Sequence, residues 1–180
     1  IVGVTVVDQN SDQYSIFIGN GQPLVIGSTA ETVVSVLGSD STQKELALVN
    51  RDDIVNINDE ITGGKVGGLI QYRDEALNEA RNQLGLIAIG FAESMNKQHS
   101  LGINLNNEFG ADLFTDMNSD YLQQNRLTAD TNNKSVLTMA RVELQQVDLL
   151  QASEYELVVG DGNKLTLYRN SDGKQVRIDQ

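Results

Sequence analysis

The residues able to do chemistry are few and are not assembled for it. The chain has no cysteine and a single histidine, His99. Thiolate catalysis, disulfides and zinc–thiolate sites are therefore excluded, and one imidazole cannot build a His-rich catalytic metal centre. His99 stands near a helix end with no cysteine and no clear Ser-based triad pattern beside it, which reads as a capping or surface residue rather than a base. Asp52-Asp53 and Asp59-Glu60 are adjacent carboxylates. Acid–base catalysis needs two carboxyls held across a shared cleft with separated pKa values, so these pairs read as solvated acidic loops.

Three further stretches mimic binding motifs. Gly19-Asn20-Gly21 lacks the third glycine and the following helix of a dinucleotide fingerprint and reads as a hairpin turn. Thr62-Gly63-Gly64-Lys65-Val66 has neither the spacing nor the Ser/Thr of a phosphate loop and reads as a helix entry. Asn104 to Gly110 offers oxygen donors, but Phe109 occupies the place where a calcium loop turns at glycine, and too few carboxylates are at hand. Asn133-Lys134-Ser135 is a glycosylation triplet of a kind common by chance. No catalytic, cofactor-binding or metal-ligating residue is expected, and no enzymatic activity, because no nucleophile, base and orienting group come together.

Composition narrows the partners. At 180 residues and 19.6 kDa the chain fits one domain or two small ones, and 39% hydrophobic residues argue against wholesale disorder. Thirteen basic against 25 acidic residues give a net charge of −12 and a pI near 4.3, so neither nucleic acid nor an anionic membrane is expected as a partner. The chain begins at Ile1 rather than Met, shows no basic-then-apolar leader, and has no apolar run approaching the roughly 18 residues that span a bilayer. The expectation is a soluble piece of a longer protein.

The elements that must position these residues are mixed. Val4, Val6, Ile16 and Ile18 sit at strand spacing, and Gly19-Asn20-Gly21 turns between Tyr14 to Ile18 and Pro23 to Ile26, predicting one or two β-hairpins. Pro23 stands beside the turn, where its missing N–H need not interrupt a ladder. Shorter strands are predicted at Glu45 to Val49 and Asp53 to Ile57.

From about Leu69 to Gln98 one long amphipathic helix is predicted. Ile70, Leu77, Leu84 and Phe91 recur every seven residues and mark its buried row. Such a helix would be about 45 Å long, which suggests partners outside this sequence. Gly85 and Gly90 in its interior suggest a closely packed neighbouring backbone, and Gly102 a stop. After a turn region at Ile103 to Asp116, a domain crossing is placed between Thr115 and Lys134. The period then switches to two: strands are predicted from Val136 to about Arg141, at Tyr155 to Val159, Lys164 to Tyr168 and Gln175 to Ile178. This meander opens a second domain that looks cut short at Gln180. The fold class expected is α+β, with residues 1–120 in the first domain and 121–180 starting the second.

One resemblance covers much of the chain. Gly67-Gly68-Leu69, Arg73, Ala80-Arg81-Asn82-Gln83-Leu84-Gly85, Asn96-Lys97-Gln98-His99 and Gly110-Ala111-Asp112-Leu113-Phe114 occur in the order and spacing of the first hook-associated protein family of the bacterial flagellum. Upstream, Asn20-Gly21-Gln22-Pro23-Leu24-Val25 and Gly27-Ser28-Thr29-Ala30 resemble the same family, and Leu113 departs conservatively from its usual Phe. The resemblance is specific over about two thirds of the chain and loose beyond Lys134.

It implies a structural protein, exported through the flagellar type III apparatus without a cleaved signal, that joins hook to filament outside the cell. Residues 1–120 would then belong to a helical-bundle rod domain and 121–180 begin an inserted β-rich outer domain. Implied partners of the whole protein are further copies of itself, the hook protein, the second junction protein and an export chaperone. The chain alone, lacking the family's terminal helices, is expected to be a monomer. A second junction protein, a flagellin, or a non-catalytic adhesin-like binding module are the alternatives.

Overall fold

A computed structural model describes residues 1–9, 13–38, 42–50, 53–130, 133 and 140–178. The chain is α+β and divides into two compact units. The first is Ile1–Ala76 with the described residues of Arg126–Ala140; the second is Leu77–Asn125 with those of Arg141–Gln180.

In the first unit, β1 (Val4–Asp8), β2 (Tyr14–Ile18), β3 (Gln22–Ile26) and β4 (Thr29–Ala30) form an antiparallel sheet in chain order. β1 and β2 pair from Val4↔Ile18 to Asp8↔Tyr14. The Gly19-Asn20-Gly21 turn is the expected one: Gly19 and Gly21 hold φ of 54° and 109°, a region open to glycine at no steric cost. Pro23 pairs with Phe17 where the β2–β3 register shifts, and β4 reaches only Val25 and Ile26, so the missing N–H leaves no gap on that side.

A second antiparallel sheet has the order β5 (Thr32–Leu37), β6 (Lys44–Asn50), β7 (Asp53–Asn56). β6 and β7 match the sequence reading, whereas β5 escaped it. In Thr32-Val33-Val34-Ser35-Val36-Leu37 the apolar residues fall on both faces, with Val33 and Leu37 exposed and Val34 and Val36 half-buried, so no period-two contrast marks the strand. The core of this unit joins Ile18, Leu48, Ile57 and Ile61, with Leu24, Leu46, Val66 and Ile70 packed against them. Both sheets and the first helical turns thus share one apolar cluster.

Helical structure begins at Gly64, ahead of the expected Leu69, and runs through α1 (Gly64–Gln71), a π-helical segment (Tyr72–Leu77) and α2 (Asn78–Ser100). The early start is possible because Gly64 enters with φ 73° and buried Gly67 lies against Thr62, where a Cβ would stand 2.9 Å from the backbone carbonyl carbon.

The π-helical segment overturns the expected buried row. Covered positions advance by three or four through Val66, Ile70 and Arg73, step by five to Asn78, then continue through Asn82, Leu86, Ile89, Ala92 and Asn96. A π turn holds more residues than an α turn, so a heptad counted across it slips to another face. Ile70 is half-buried, but Leu77, Leu84 and Phe91 are exposed, Leu84 at 67% and Phe91 at 56%. No residue of this chain packs closely at Gly85 or Gly90: a Cβ at either would meet nothing within 4 Å among the described residues.

In the second unit α2 packs against a 3₁₀ turn at Val147–Leu149, bringing buried Ala92 and Val147 into its small core. A short α3 (Asp120–Asn125) was not foreseen. Its six residues are too few to show a period, and Asp120 at its start is anchored from outside it by Arg141, 2.8 Å away. The meander is as expected, in the order β8 (Tyr155–Val159), β9 (Leu165–Arg169), β10 (Lys174–Val176), with positive-φ Gly162 and Gly173 in its turns. Of the strand expected from Val136 to about Arg141, residues 136–139 lie outside the described residues, as do Asp52, Lys134 and Ser135.

Candidate functional site

The densest set of specific polar contacts closes the C-terminal end of α2. Asn96 lies on the covered row of that helix, and its carboxamide meets three backbone groups of one returning segment. Oδ1 accepts from the N–H groups of Leu113 and Phe114, both at 2.9 Å, and Nδ2 donates to the Phe114 carbonyl at 2.9 Å. One turn later His99 Nδ1 donates to the Ala111 carbonyl at 2.5 Å, which places the ring proton on Nδ1.

Gly110 makes this approach possible. A Cβ there would stand 2.1 Å from the His99 carbonyl oxygen, a backbone atom that cannot swing aside. The helix end is also satisfied locally, since the Gly102 N–H donates to the His99 carbonyl at 3.0 Å and the Gly110 N–H returns to the Gly102 carbonyl at 3.0 Å.

Between those glycines, residues 103–109 form a tight hairpin. Ile103 and Phe109 make an antiparallel bridge, and Asn104 Oδ1 accepts from the N–H groups of Asn106 and Glu108 at 2.9 and 3.0 Å. That oxygen is spent on the turn itself, and Asn107 takes φ 65° there. The clasp delivers Phe114 edge-on to Phe91, with ring centroids 5.6 Å apart at 69°. Helix end, glycine, histidine and closing aromatic thus form one structural unit.

Of the remaining signature residues, Arg73 holds backbone as well. Arg73 donates to the Lys44 carbonyl at 3.1 Å and grips Asp74 at 2.6 Å, the hydrogen bond to that carboxylate being the main cause of its raised pKa. Of the acidic pairs, Glu60 accepts from the Asn20 N–H at 3.1 Å, and a Cβ at Gly19 would stand 2.2 Å from the Glu60 carbonyl oxygen. Glu60 therefore pins the β2–β3 turn. In the meander, Arg169 holds Asp172 at 2.6 Å; that hydrogen bond, seconded by the Lys174 N–H, keeps the carboxyl well below the usual carboxylate range.

One cleft, of about 200 Å³, adjoins the clasp and brings Glu93, Lys97, Asp112 and Asp116 together above Met117, Leu144 and Val147. Its lining includes no Ser, Thr, Tyr or His. Among the described residues no group of three or more His, Cys, Asp or Glu is placed to hold a metal ion, and no helix is long and apolar enough to cross a membrane. Sequence reading quoted Asn96 and Gly110 without giving either a role. The heptad row does not point to Asn96, whose covered row runs through Leu86, Ile89 and Ala92.

Comparison with known proteins adds the following. Residues 1–114 match the family described as the flagellar hook-associated protein FlgK helical domain. Flagellar hook-associated protein 1 of Salmonella typhimurium is 32% identical over 189 residues, covering 97% of this chain and 33% of that protein. The protein of the same name from Escherichia coli K12 is 33% identical over 147 residues, covering 80% and 27%. The solved flagellar hook junction protein FlgK from Burkholderia pseudomallei superposes with a TM-score of 0.78 at 29% identity, over 98% of this chain and 32% of that one. The chain thus spans about a third of the length of the relatives it matches.

Proposed function

The chain belongs to the flagellar hook-associated protein 1 family, and on that premise we propose that it is part of a non-catalytic structural subunit that joins hook to filament outside the cell. The observation that carries this reading is the clasp. Asn96, His99, Gly110 and Phe114, through which the chain resembles the family, are committed to holding backbone and aromatic rings in place. A joint that transmits load needs fixed geometry of this kind and has no use for a reactive group.

Within the whole protein, residues 1–120 belong to a helical rod domain and 121–180 begin an inserted β-rich outer domain. The exposed stripe of α2 at Leu84, Ile87 and Phe91 is then covered by other helices of the rod, as its apolar character favours. Further copies of the subunit, the hook protein and the second junction protein are its neighbours in the assembly. Export runs through the type III apparatus with the help of a chaperone. Taken alone, the chain is a monomer, and its charge of −12 opposes self-association at low salt.

Immunogold labelling of isolated flagella with antibodies raised against this chain tests the reading. Gold confined to the narrow zone between hook and filament is the expected result. Labelling along the whole filament would favour a flagellin instead, and labelling only of a cell-surface structure away from the flagellum would favour an adhesin.

A further inference from the structure

We draw no further inference here: the strongest candidate, the exposed apolar stripe of α2 at Leu84, Ile87 and Phe91, carries nothing because nothing in the structure shows what covers it.

Discussion

Asn96 satisfies three backbone groups with one side chain, and no other residue type has both the acceptor and the donor at that reach. Asn96→Ala is expected to cost about 1–3 kcal/mol, the penalty for leaving hydrogen-bonding groups without their partners. Denaturant melts give the size, and faster hydrogen exchange at the Leu113 and Phe114 amides locates the loss. Gly110→Ala should destabilise the same segment, because its Cβ meets the His99 backbone. Unchanged melting for both variants would remove the clasp from the account. Asp172 supplies a pH test. Its carboxyl is held low by Arg169, so the folded value lies below the unfolded one, about 3.9. The stabilisation it provides is complete above that unfolded value and is lost as pH falls from it toward the folded value. Carboxyl titration by NMR should therefore show Asp172 ionising well below an ordinary aspartate, and Arg169→Gln should raise it toward the ordinary range, with the Lys174 contacts still lowering it. An unshifted midpoint in the native chain would contradict the pairing. Sequence alone identified the residues of the clasp through family resemblance but not its wiring, since hydrogen bonds between Asn96 and residues 113–114 depend on a chain reversal that no local pattern encodes.

At the scale of elements, the turns and the meander were legible because glycine at positive φ and period-two alternation leave direct marks, as at Gly19, Gly21, Gly162 and Gly173. The long helix was legible in existence but not in facing. A single π-helical segment at Tyr72–Leu77 moves the covered row away from the heptad, and nothing in Tyr-Arg-Asp-Glu-Ala-Leu announces it. The observed facing has measurable consequences. Leu84→Ala should change the stability of the chain by about 0.5 kcal/mol or less, as expected of an exposed site. Leu86→Ala, on the half-buried row, should cost about 1–2 kcal/mol. Melts of the two variants decide between the rows, and a larger loss at Leu84 would restore the heptad face. Gly85→Ala and Gly90→Ala should each stabilise the isolated chain by about 0.5–1 kcal/mol, since both sit in a helix interior with open space around the added methyl.

For the molecule as a whole, composition excluded thiol and His-rich metal chemistry without saying what the chain does. The same composition fits many enzymes, binding proteins and scaffolds, so family identity had to come from the ordered residues between Gly67 and Phe114. The division into units was partly concealed, because Leu77 follows Ala76 within continuous helical sequence and no turn residue marks the change. The central claim, that this chain is part of the subunit joining hook to filament, is tested most directly in the source bacterium. The gene encoding the complete protein is deleted, restored intact on a plasmid, and cells and spent medium are inspected by electron microscopy. Bare hooks with unattached filament protein in the medium after deletion, and attached filaments after restoration, are the expected result; normal filaments on the deletion strain would contradict it.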